Sequence, residues 1–279
     1  MSIITSTSNS QIKEIVKLQK QSRARKKSKS FIVEGFKMLG EAAKHNLLKK
    51  IYISETVYER NSEYNIEEMG SVDVKELLQK FEYEIVSDNV FKEMSDTVTT
   101  QGILGITAMP SYTREQILND DRHMWIMLDN LRDPGNLGTI MRTAEGADMS
   151  GVIISKESVD LFNPKVVRST MGAIFRVPFI YEETLTEIIQ EIQQKGFPVY
   201  ATAMKGSEVY DKVDYTGGAA IVIGNEANGV SEEVLSKATG NIRIPMAGEL
   251  ESLNAAVSAA IVMYETARQR RGFKNLTKT

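Results

Sequence analysis

The sequence predicts a two-part α/β protein whose larger part is a mostly parallel sheet with helices on both faces. From residue 123 onward, short apolar runs alternate with stretches of helical periodicity, which is typical of a parallel sheet. These runs are apolar throughout, as expected for strands that are covered on both sides. A chain of 279 residues also exceeds the roughly 250 residues that one core usually supports. We therefore expect a smaller α/β unit before the large one.

The smaller unit is expected to span residues 1–107. Ser-Asn-Ser at residues 8–10 offers capping side chains for a first helix that continues to about residue 21. A strongly basic loop is predicted next, at residues 23–29. Strands are then predicted at residues 31–34, 50–54, 83–86 and 103–108, and helices at residues 35–46 and 72–81.

The polar segment 108–121 is expected to be a linker, loosely packed, before the larger unit at residues 122–279. In open parallel sheets, ligands bind beyond the carboxyl ends of the strands, so the loops 224–229 and 245–252 are expected to line one crevice. Strands are predicted at residues 123–128, 151–154, 175–180, 198–202, 219–223 and 241–244, and helices at residues 137–146, 164–171, 185–195, 231–237 and 252–270.

The composition limits where the protein can be located in the cell and which kinds of functional site it can contain. The chain has no cysteine, which excludes disulfides and thiolate metal sites and fits a reducing compartment. The opening MSIITSTSNS lacks the charged and apolar regions of a signal peptide, and no apolar run approaches the roughly 20 residues that cross a bilayer. We expect a cytoplasmic protein that has no membrane partner.

Basic residues are concentrated near the amino terminus. Residues 1–50 contain twelve Lys and Arg against three acidic residues, whereas the remainder contains 22 basic against 34 acidic residues. Such a division suggests a polyanion-binding end joined to a body with another role. A solvated surface loop is the alternative, but the concentration of basic residues in one segment favours a role in binding nucleic acid. The predicted RNA-binding residues are Arg23, Arg25, Lys26, Lys27 and Lys29.

Several common sites are not supported by the sequence. The loop 224–229 has the spacing GxxxxG, but Val230 stands where a P-loop requires lysine, and no GxGxxG follows a strand. The chain contains two histidines, His45 and His123, no thiols and no clustered carboxylates. It therefore offers few residues that could form a metal site or a Ser-His-Asp triad. We expect no metal, and a structural role for each histidine.

What remains is a set of polar residues on loops that follow strands. In the segment 129–138, the Pro-Gly pair predicts a turn and Asn136 is a plausible helix N-cap. Arg142 lies farther along that helix, where it could simply pair with Glu145 or Asp148.

Asn254 belongs to the same set, although it could simply cap the final helix. Each of these residues alone is weak evidence for a site. Taken together, they form a polar constellation that contains neither metal ligands nor histidine.

Three motifs in this constellation resemble the SpoU/TrmH family of RNA ribose 2′-O-methyltransferases, of the SPOUT class. In order they are LDNLRDPGNLGTIMRTAEGAD, IVIGNEANGVS and IPMAGELESLNAAVSAAIVMYE. The segment STMGAIFRVP between the first two is also similar to the family. Residues 1–107, with FIVEGFKMLGEA as the recognisable part, resemble the RNA substrate-binding domain that often precedes such enzymes. The resemblance covers about 155 residues in the second part of the chain.

The resemblance implies a trefoil-knotted α/β fold, a homodimer with the final helix at its interface, and S-adenosylmethionine as the cofactor. It implies methylation of a ribose 2′-hydroxyl in RNA, with a guanosine of 23S ribosomal RNA favoured. Transfer RNA as the acceptor, or a non-catalytic RNA-binding protein with this fold, remain alternatives. The implied catalytic residues are Arg142, Asn136, Glu226, Ser252 and Asn254. The implied cofactor-binding residues are Thr202, Ala203, Gly224, Ile244, Met246 and Leu253.

These residues have expected roles in the reaction. Arginine is protonated at neutral pH, so Arg142 is expected to assist electrostatically, by binding a phosphate or the forming alkoxide. Asn136 would position Arg142 or the ribose, and Glu226 would orient groups by hydrogen bonding. Ser252 and Asn254 would fix the catalytic loop and the nucleotide.

Overall fold

The computed structural model of the protein describes residues 3–60 and 73–273. The chain divides into two compact units. The first unit comprises residues 1–110 together with 160–175, and the second comprises residues 111–159 together with 176–279. Among the described residues, none of the helices is both long enough and apolar enough to cross a membrane.

The first unit is built on a four-stranded mixed sheet. Its elements up to residue 108 are α1 (Ser10–Lys20), α2 (Ser22–Ser28), β1 (Ser30–Glu34), α3 (Phe36–Lys44), β2 (Leu48–Ser54), α4 (Glu55–Glu59), α5 (Val74–Lys80), β3 (Glu82–Val86), α6 (Asp88–Met94) and β4 (Ile103–Ala108). The strand order is β1-β4-β2-β3. β4 runs antiparallel to β1 and β2, and β2 runs parallel to β3. Apolar residues of α1 and α6, such as Ile15 and Phe91, close one core of the unit.

The basic segment 23–29 is largely helical, so the predicted loop was wrong. Arginine and lysine are good helix formers, and Arg25 fixes the segment through hydrogen bonds to the carbonyls of Leu18 and Gln19. The helix ends at Ser28, and the next residue, Lys29, is its C-cap with the left-handed φ of 49°. The predicted cap of α1 is confirmed, because the Asn9 side chain accepts the amide of Gln11.

The second unit contains a seven-stranded sheet whose strands are all parallel. The elements that follow β4 are α7 (Arg114–Leu118), β5 (Met124–Leu128), α8 (Pro134–Gly146), β6 (Gly151–Ser155), α9 (Pro164–Ser169), β7 (Phe179–Glu182), α10 (Leu185–Gln194), β8 (Val199–Thr202), β9 (Ser207–Val209), β10 (Ala219–Ile223), α11 (Glu232–Lys237), β11 (Gly240–Arg243) and α12 (Ala255–Phe273). The strand order is β7-β6-β5-β10-β8-β11-β9. The mostly parallel sheet that the sequence predicts is confirmed, and β5, β6 and β10 are buried along their whole length.

Three stretches of the chain after β4 differ from the prediction, and one of them is β9, for which no element is predicted. The strand predicted at 175–180 starts only at Phe179, because Ala173–Phe175 forms a 3₁₀ turn and Pro178 has no amide hydrogen for a ladder. The segment predicted as a linker contains α7, with a capping box at Thr113. Its Ile117 and Leu118 are buried in the core of the second unit, so this part of the segment is well packed.

Helix α9 and the 3₁₀ turn Ala173–Phe175 belong to the first unit, although they follow β6 in the chain. Phe162 and Phe175 pack against Phe31 of β1, with ring centroids 4.9 and 6.0 Å apart. The domain boundaries predicted at residues 107 and 122 stay a prediction, and so does the knot.

Candidate active site

A cavity of about 810 Å³ lies at the carboxyl ends of β8, β10 and β11. The loop that follows β10 and the loop that follows β11 both line it, as expected for loops that follow parallel strands. The predicted cofactor-binding residues all line this cavity, together with two predicted catalytic residues: Thr202, Ala203, Gly224, Ile244, Met246, Leu253, Glu226 and Ser252.

The loop after β10 is folded so tightly that it requires glycine at its start. A Cβ atom on Gly224 would collide with the carbonyl carbon of Gly229 and the nitrogen of Val230. Asn225 and Gly229 close the loop by exchanging two backbone hydrogen bonds of 2.9 Å. Gly229 adopts a φ of 70°, which glycine reaches without strain. Gly224 and Gly229 therefore allow the loop to fold back on itself beside the cavity.

A network of three side chains joins the loops that carry the three motifs. Asn136 Nδ2 donates to Glu226 Oε1 at 2.9 Å, and Asn136 Oδ1 accepts from Asn254 Nδ2 at 2.9 Å. The Glu226 carboxylate also accepts the backbone amides of Arg132 at 3.2 Å and Asp133 at 3.1 Å. Because a carboxylate can only accept, it fixes the orientation of the Asn136 amide, which in turn fixes that of Asn254.

The opposite end of the network is anchored at the start of α12. Asn254 Oδ1 accepts the amides of Ala256 at 2.9 Å and Val257 at 3.3 Å, so the predicted capping role of this residue is confirmed. The same side chain also donates to Asn136, and it therefore serves the helix and the site together.

Asn136 does not cap α8, and that prediction was wrong. The N-cap is Asp133, whose side chain accepts the Asn136 amide at 2.7 Å. Helix α8 begins at Pro134, which makes Asn136 its third residue, buried and with its side chain bound to Glu226. Proline suits the first helical position because its missing amide hydrogen has no partner there in any case.

Glu226 is held in its charged form. Partial burial raises its pKa, but hydrogen bonds from the Asn136 side chain and from the amides of Asp133 and Arg132 outweigh burial, so that the pKa falls below its ordinary value. An ionised carboxylate at neutral pH keeps both acceptor oxygens available to the network.

Arg142 lies on the exposed surface of α8 and is not among the residues that line the cavity. Its predicted pairing with Glu145 or Asp148 does not occur. Glu145 binds Arg176 at 3.0 Å, and Asp148 binds Arg122 at 3.0 Å. Within residues 3–60 and 73–273, the Arg142 guanidinium makes no hydrogen bond or ion pair and remains available to an anion.

The predicted RNA-binding residues fall into two groups. Arg23, Lys26, Lys27 and Lys29 are exposed. Arg25 is only 3% exposed and is therefore not a surface cation, which corrects the prediction for this residue. Its Nη2 binds Asp160 Oδ2 at 2.6 Å, which accounts for its burial. Because Asp160 is 135 residues away in the chain, no local pattern could have predicted this pair.

Two further side chains hold the site and were missed by the sequence reasoning. Asp129 Oδ2 accepts the Ser231 amide at 2.8 Å, and Asn225 Nδ2 donates to the Asn130 carbonyl at 2.7 Å. The signal that could have found them is their position, since Asp129 follows β5 directly and Asn225 follows β10 by one glycine.

The histidines contact aromatic rings. His45 stacks on Phe175 with centroids 6.0 Å apart, and His123 stacks on Phe197 at 4.4 Å. In the described parts of the chain, no three or more His, Asp or Glu side chains are grouped so that they could hold a metal ion.

Comparison with known proteins assigns the family. The SpoU rRNA Methylase family matches residues 123–264, and the MRM3-like substrate binding domain matches residues 9–105. The chain belongs to the SpoU rRNA methylase family. The resemblance carried by the three motifs is thereby confirmed, as is the predicted class of enzyme, a methyltransferase that acts on RNA.

Relatives of the SpoU family match this chain over nearly its whole length. The 23S rRNA (guanosine(2553)-2′-O)-methyltransferase RlmP of Bacillus subtilis is 31% identical over 265 residues, which cover 95% of this chain and 98% of the relative. The mitochondrial rRNA methyltransferase 3 of Homo sapiens is 30% identical, covering 94% of this chain and 73% of the relative. The crystal structure of an AdoMet-bound rRNA methyltransferase from Sinorhizobium meliloti is 30% identical and superposes with a TM-score of 0.80, covering 96% of this chain and 97% of that one.

Proposed function

We propose that this protein transfers a methyl group from S-adenosylmethionine to the ribose 2′-hydroxyl of a guanosine in 23S ribosomal RNA. The observation that carries the proposal is the network in which Glu226, Asn136 and Asn254 join three motif loops, with Glu226 in the wall of the cavity. The Bacillus subtilis relative is named for 2′-O-methylation of a 23S rRNA guanosine, which supports the choice of acceptor.

The cavity suits S-adenosylmethionine. Its volume of about 810 Å³ lies within the usual range of small-molecule sites, about 300–1,000 Å³. Apolar side chains of Ile223, Ile244 and Leu253 line it and suit a flat base. When bound, the cofactor supplies an electrophilic methyl group on a sulfonium sulfur. The AdoMet in the Sinorhizobium meliloti structure supports this assignment.

The residues of the chain prepare the acceptor hydroxyl and hold the loops. A ribose hydroxyl is a weak nucleophile at neutral pH, so negative charge that develops on its oxygen must be stabilised. Arg142 supplies this charge stabilisation, or binds the adjacent phosphate, because its guanidinium is exposed and unpaired within the described residues. Glu226, Asn136 and Asn254 keep the motif loops in one arrangement, and Ser252 contacts the nucleotide from the cavity wall.

The protein acts as a homodimer in this proposal. Val257 and Tyr264 of α12 are each 47% exposed, and Ile261 lies between them at helical spacing. Such an apolar stripe on a helix surface is suited to a second copy of the chain. A dimer would allow Arg142 of one subunit to serve the cavity of the other. A monomeric mass in analytical ultracentrifugation, at the concentrations used for assay, would contradict this part of the proposal.

The first unit supplies affinity for RNA. Its exposed basic residues on and after α2 provide salt-dependent interactions with phosphates, and the family match over residues 9–105 supports this role. A cytoplasmic location is also part of the proposal, supported by the ribosomal RNA substrate of the Bacillus subtilis relative.

The experiment is an in vitro methylation assay in which 2′-O-methyl positions are mapped on ribosomal and transfer RNA. We expect one modified guanosine in 23S rRNA. Arg142→Ala is expected to lower the rate by at least about 10²-fold while the affinity for S-adenosylhomocysteine stays within about twofold. Lys212→Ala, which removes an exposed cation of the second unit outside the cavity and outside α12, is the control and should retain activity. Modification of transfer RNA alone would refute the acceptor, RNA binding without transfer would refute the enzyme, and full activity of Arg142→Ala would refute the role of that residue.

A further inference from the structure

The loop 95–102, which joins α6 to β4 in the first unit, holds an apolar side chain out into solvent. Val98, in the middle of this loop, is fully exposed, and it is the most exposed large apolar side chain of the described residues. A single exposed valine is common on protein surfaces and has no significance by itself. The backbone on either side of this valine is nevertheless fixed by a set of hydrogen bonds, and the two features together indicate a binding role.

One carboxylate organises the loop. Glu34, the last residue of β1, accepts three hydroxyl groups of the loop on its Oε1, from Ser95 at 2.6 Å, Thr97 at 2.6 Å and Thr100 at 2.9 Å. Its Oε2 accepts the amide of Asp96 at 3.3 Å. Because an ionised carboxylate only accepts hydrogen bonds, these donors all point toward it. They hold the loop on both sides of the exposed valine.

The loop is also bound to two helices of the same unit. Arg168 of α9 donates from Nη1 to Asp96 Oδ2 at 2.7 Å. At the other end of the loop, Gln101 Oε1 accepts the amide of Phe36 at 3.0 Å, where α3 begins. The loop is therefore fixed to β1, α3 and α9 before any partner binds. A surface that is already ordered loses less conformational entropy on binding.

The two helices that hold the loop also carry cations. The side chain of Arg168 remains 36% exposed although it binds Asp96. Lys165 lies one turn earlier on α9, on the same face of the helix, and is exposed. Lys37 is exposed in the first turn of α3, next to the amide that fixes the end of the loop. Positive charge thus accompanies the apolar side chain.

RNA fits this combination better than a protein partner does. A stable protein interface buries roughly 800 Å² on each partner, whereas the loop segment SDTVTTQ offers one apolar side chain. In complexes with nucleic acids, apolar side chains pack on bases that are unstacked from their neighbours, and cations bind the phosphates. The loop also lies within residues 9–105, which match a substrate binding domain.

We propose that the loop 95–102 recognises an unpaired nucleotide of the RNA substrate. Val98 packs against the face of an unstacked base, and Lys37, Lys165 and Arg168 bind the phosphates beside it. The exposed lysines of α2 add affinity that does not depend on RNA structure, whereas this loop selects RNA that contains an unpaired nucleotide. The inference rests on the proposed function, which identifies the substrate as 23S rRNA.

The test measures RNA binding by the full chain with fluorescence anisotropy. Val98→Ser removes the apolar contact and is expected to raise Kd for a 23S rRNA fragment with unpaired loops at least about fivefold, the lower end of the effect of one base contact. The slope of log K against log salt should not change, because no charge is altered. With a perfect RNA duplex of the same length, Val98→Ser should bind like the wild type, because a duplex has no unstacked base to contact.

Three further variants separate the apolar contact from the charges. Val98→Ile keeps the apolar contact and should bind within about twofold of the wild type. Ile3→Ser removes apolar surface at another exposed position of the first unit and should leave the affinity unchanged. Replacing Lys37 and Lys165 together with glutamine should instead lower the salt slope, by about one for each phosphate released.

Steady-state methylation gives a second readout. Val98→Ser should raise KM for RNA and leave kcat unchanged, because the side chain contributes to binding and does not take part in methyl transfer. Its melting temperature should equal that of the wild type, since Val98 is fully exposed.

Unchanged affinity of Val98→Ser for the looped fragment would overturn the inference, and an equal loss with the duplex would overturn the recognition of an unpaired nucleotide. A changed mass in analytical ultracentrifugation with unchanged RNA affinity would show an interface between copies of the chain instead. Methylation of transfer RNA alone by the wild type would refute the proposed acceptor, and the same titrations with that transfer RNA would then decide the role of the loop.

Discussion

At the scale of single residues, Glu226 holds the active-site network because it is ionised. It receives one side-chain amide and two backbone amides, and all three groups donate. A group with a lowered pKa in the folded chain stabilises the fold above its unfolded pKa, and the contribution is lost as the pH falls through the folded value. For Glu226 the ordinary pKa is 4.5, so the contribution is present at neutral pH and disappears in acid.

Replacing this carboxylate tests the network directly. Glu226→Gln turns one acceptor oxygen into a donor that faces a backbone amide. Because the residue is exposed and solvent screens its interactions, we expect a loss of less than about 1 kcal/mol in the free energy of unfolding at pH 7. The difference between wild type and variant should persist from about pH 8 to pH 5 and shrink below that range. Thermal unfolding across this range measures it. Glu249→Gln, an exposed position before α12, is the control. A difference that does not change with pH would contradict the assigned charge.

The residues of this network can be predicted from the sequence, whereas the hydrogen bonds between them cannot. Asn136, Glu226 and Asn254 are identifiable because each lies in a recognisable motif. Their mutual hydrogen bonds span up to 118 residues of chain, and no local rule predicts which polar side chains will meet over such a distance.

At the scale of elements, helix α2 separates the basic residues of segment 23–29 into one that is buried in the fold and others that are exposed and available to RNA. The side chain of Arg25 faces inward, where two carbonyls and Asp160 bind it. Lys26 and Lys27 are exposed on the same helix, and Lys29 is exposed at its end. Helical geometry produces this division, since consecutive residues point in different directions around the axis.

The exposed lysines should affect RNA binding without affecting stability. Replacing Lys26, Lys27 and Lys29 with glutamine is expected to weaken RNA binding and to reduce the slope of log K against log salt by about one for each phosphate that is no longer neutralised. The free energy of unfolding should change by less than about 0.5 kcal/mol. Fluorescence anisotropy with a 23S rRNA fragment at several salt concentrations measures the effect.

A matched control removes the same total charge from the second unit. Lys195, Lys212 and Lys237 are exposed, and their replacement by glutamine should leave the salt slope near its wild-type value. Equal loss of affinity in the two triple variants would contradict a binding role that is specific to α2.

Helices and strands are predicted correctly where one feature of the sequence dominates, and wrongly where two features indicate different structures. β5 and β10 are predictable because they are apolar at every position and belong inside a sheet. The segment 23–29 is predicted as a loop because of its high density of positive charge. Its arginines and lysines are nevertheless good helix formers, and the buried ion pair of Arg25 stabilises the helix. The strand order, with β10 between β5 and β8, depends on long-range pairing that no strand encodes alone.

At the scale of the whole molecule, the two compact units are not two continuous segments of the chain. Residues 160–175 lie within the span that matches the SpoU methylase family, yet they belong to the first compact unit. Arg25 binds Asp160, Arg168 binds Asp96 at 2.7 Å, and Phe31 packs on the aromatic rings of this segment. Removing residues 1–107 would therefore take away the partners of 160–175, and a fragment of residues 1–110 would lack part of its own core.

Hydrogen exchange on the full-length protein can test this division. Arg25→Gln leaves the largely buried Asp160 without its cation, and breaking such a pair is expected to cost roughly 3 kcal/mol in the first unit. Exchange should rise throughout the cooperative unit that contains the pair, so amides of β1 and α9 should respond together. The amides of β5, β6 and β10 should keep their wild-type rates, because they belong to the second unit. If α9 instead kept its protection while β1 lost it, residues 160–175 would unfold with the methyltransferase sheet, and the grouping of this segment with the first unit would have no energetic meaning.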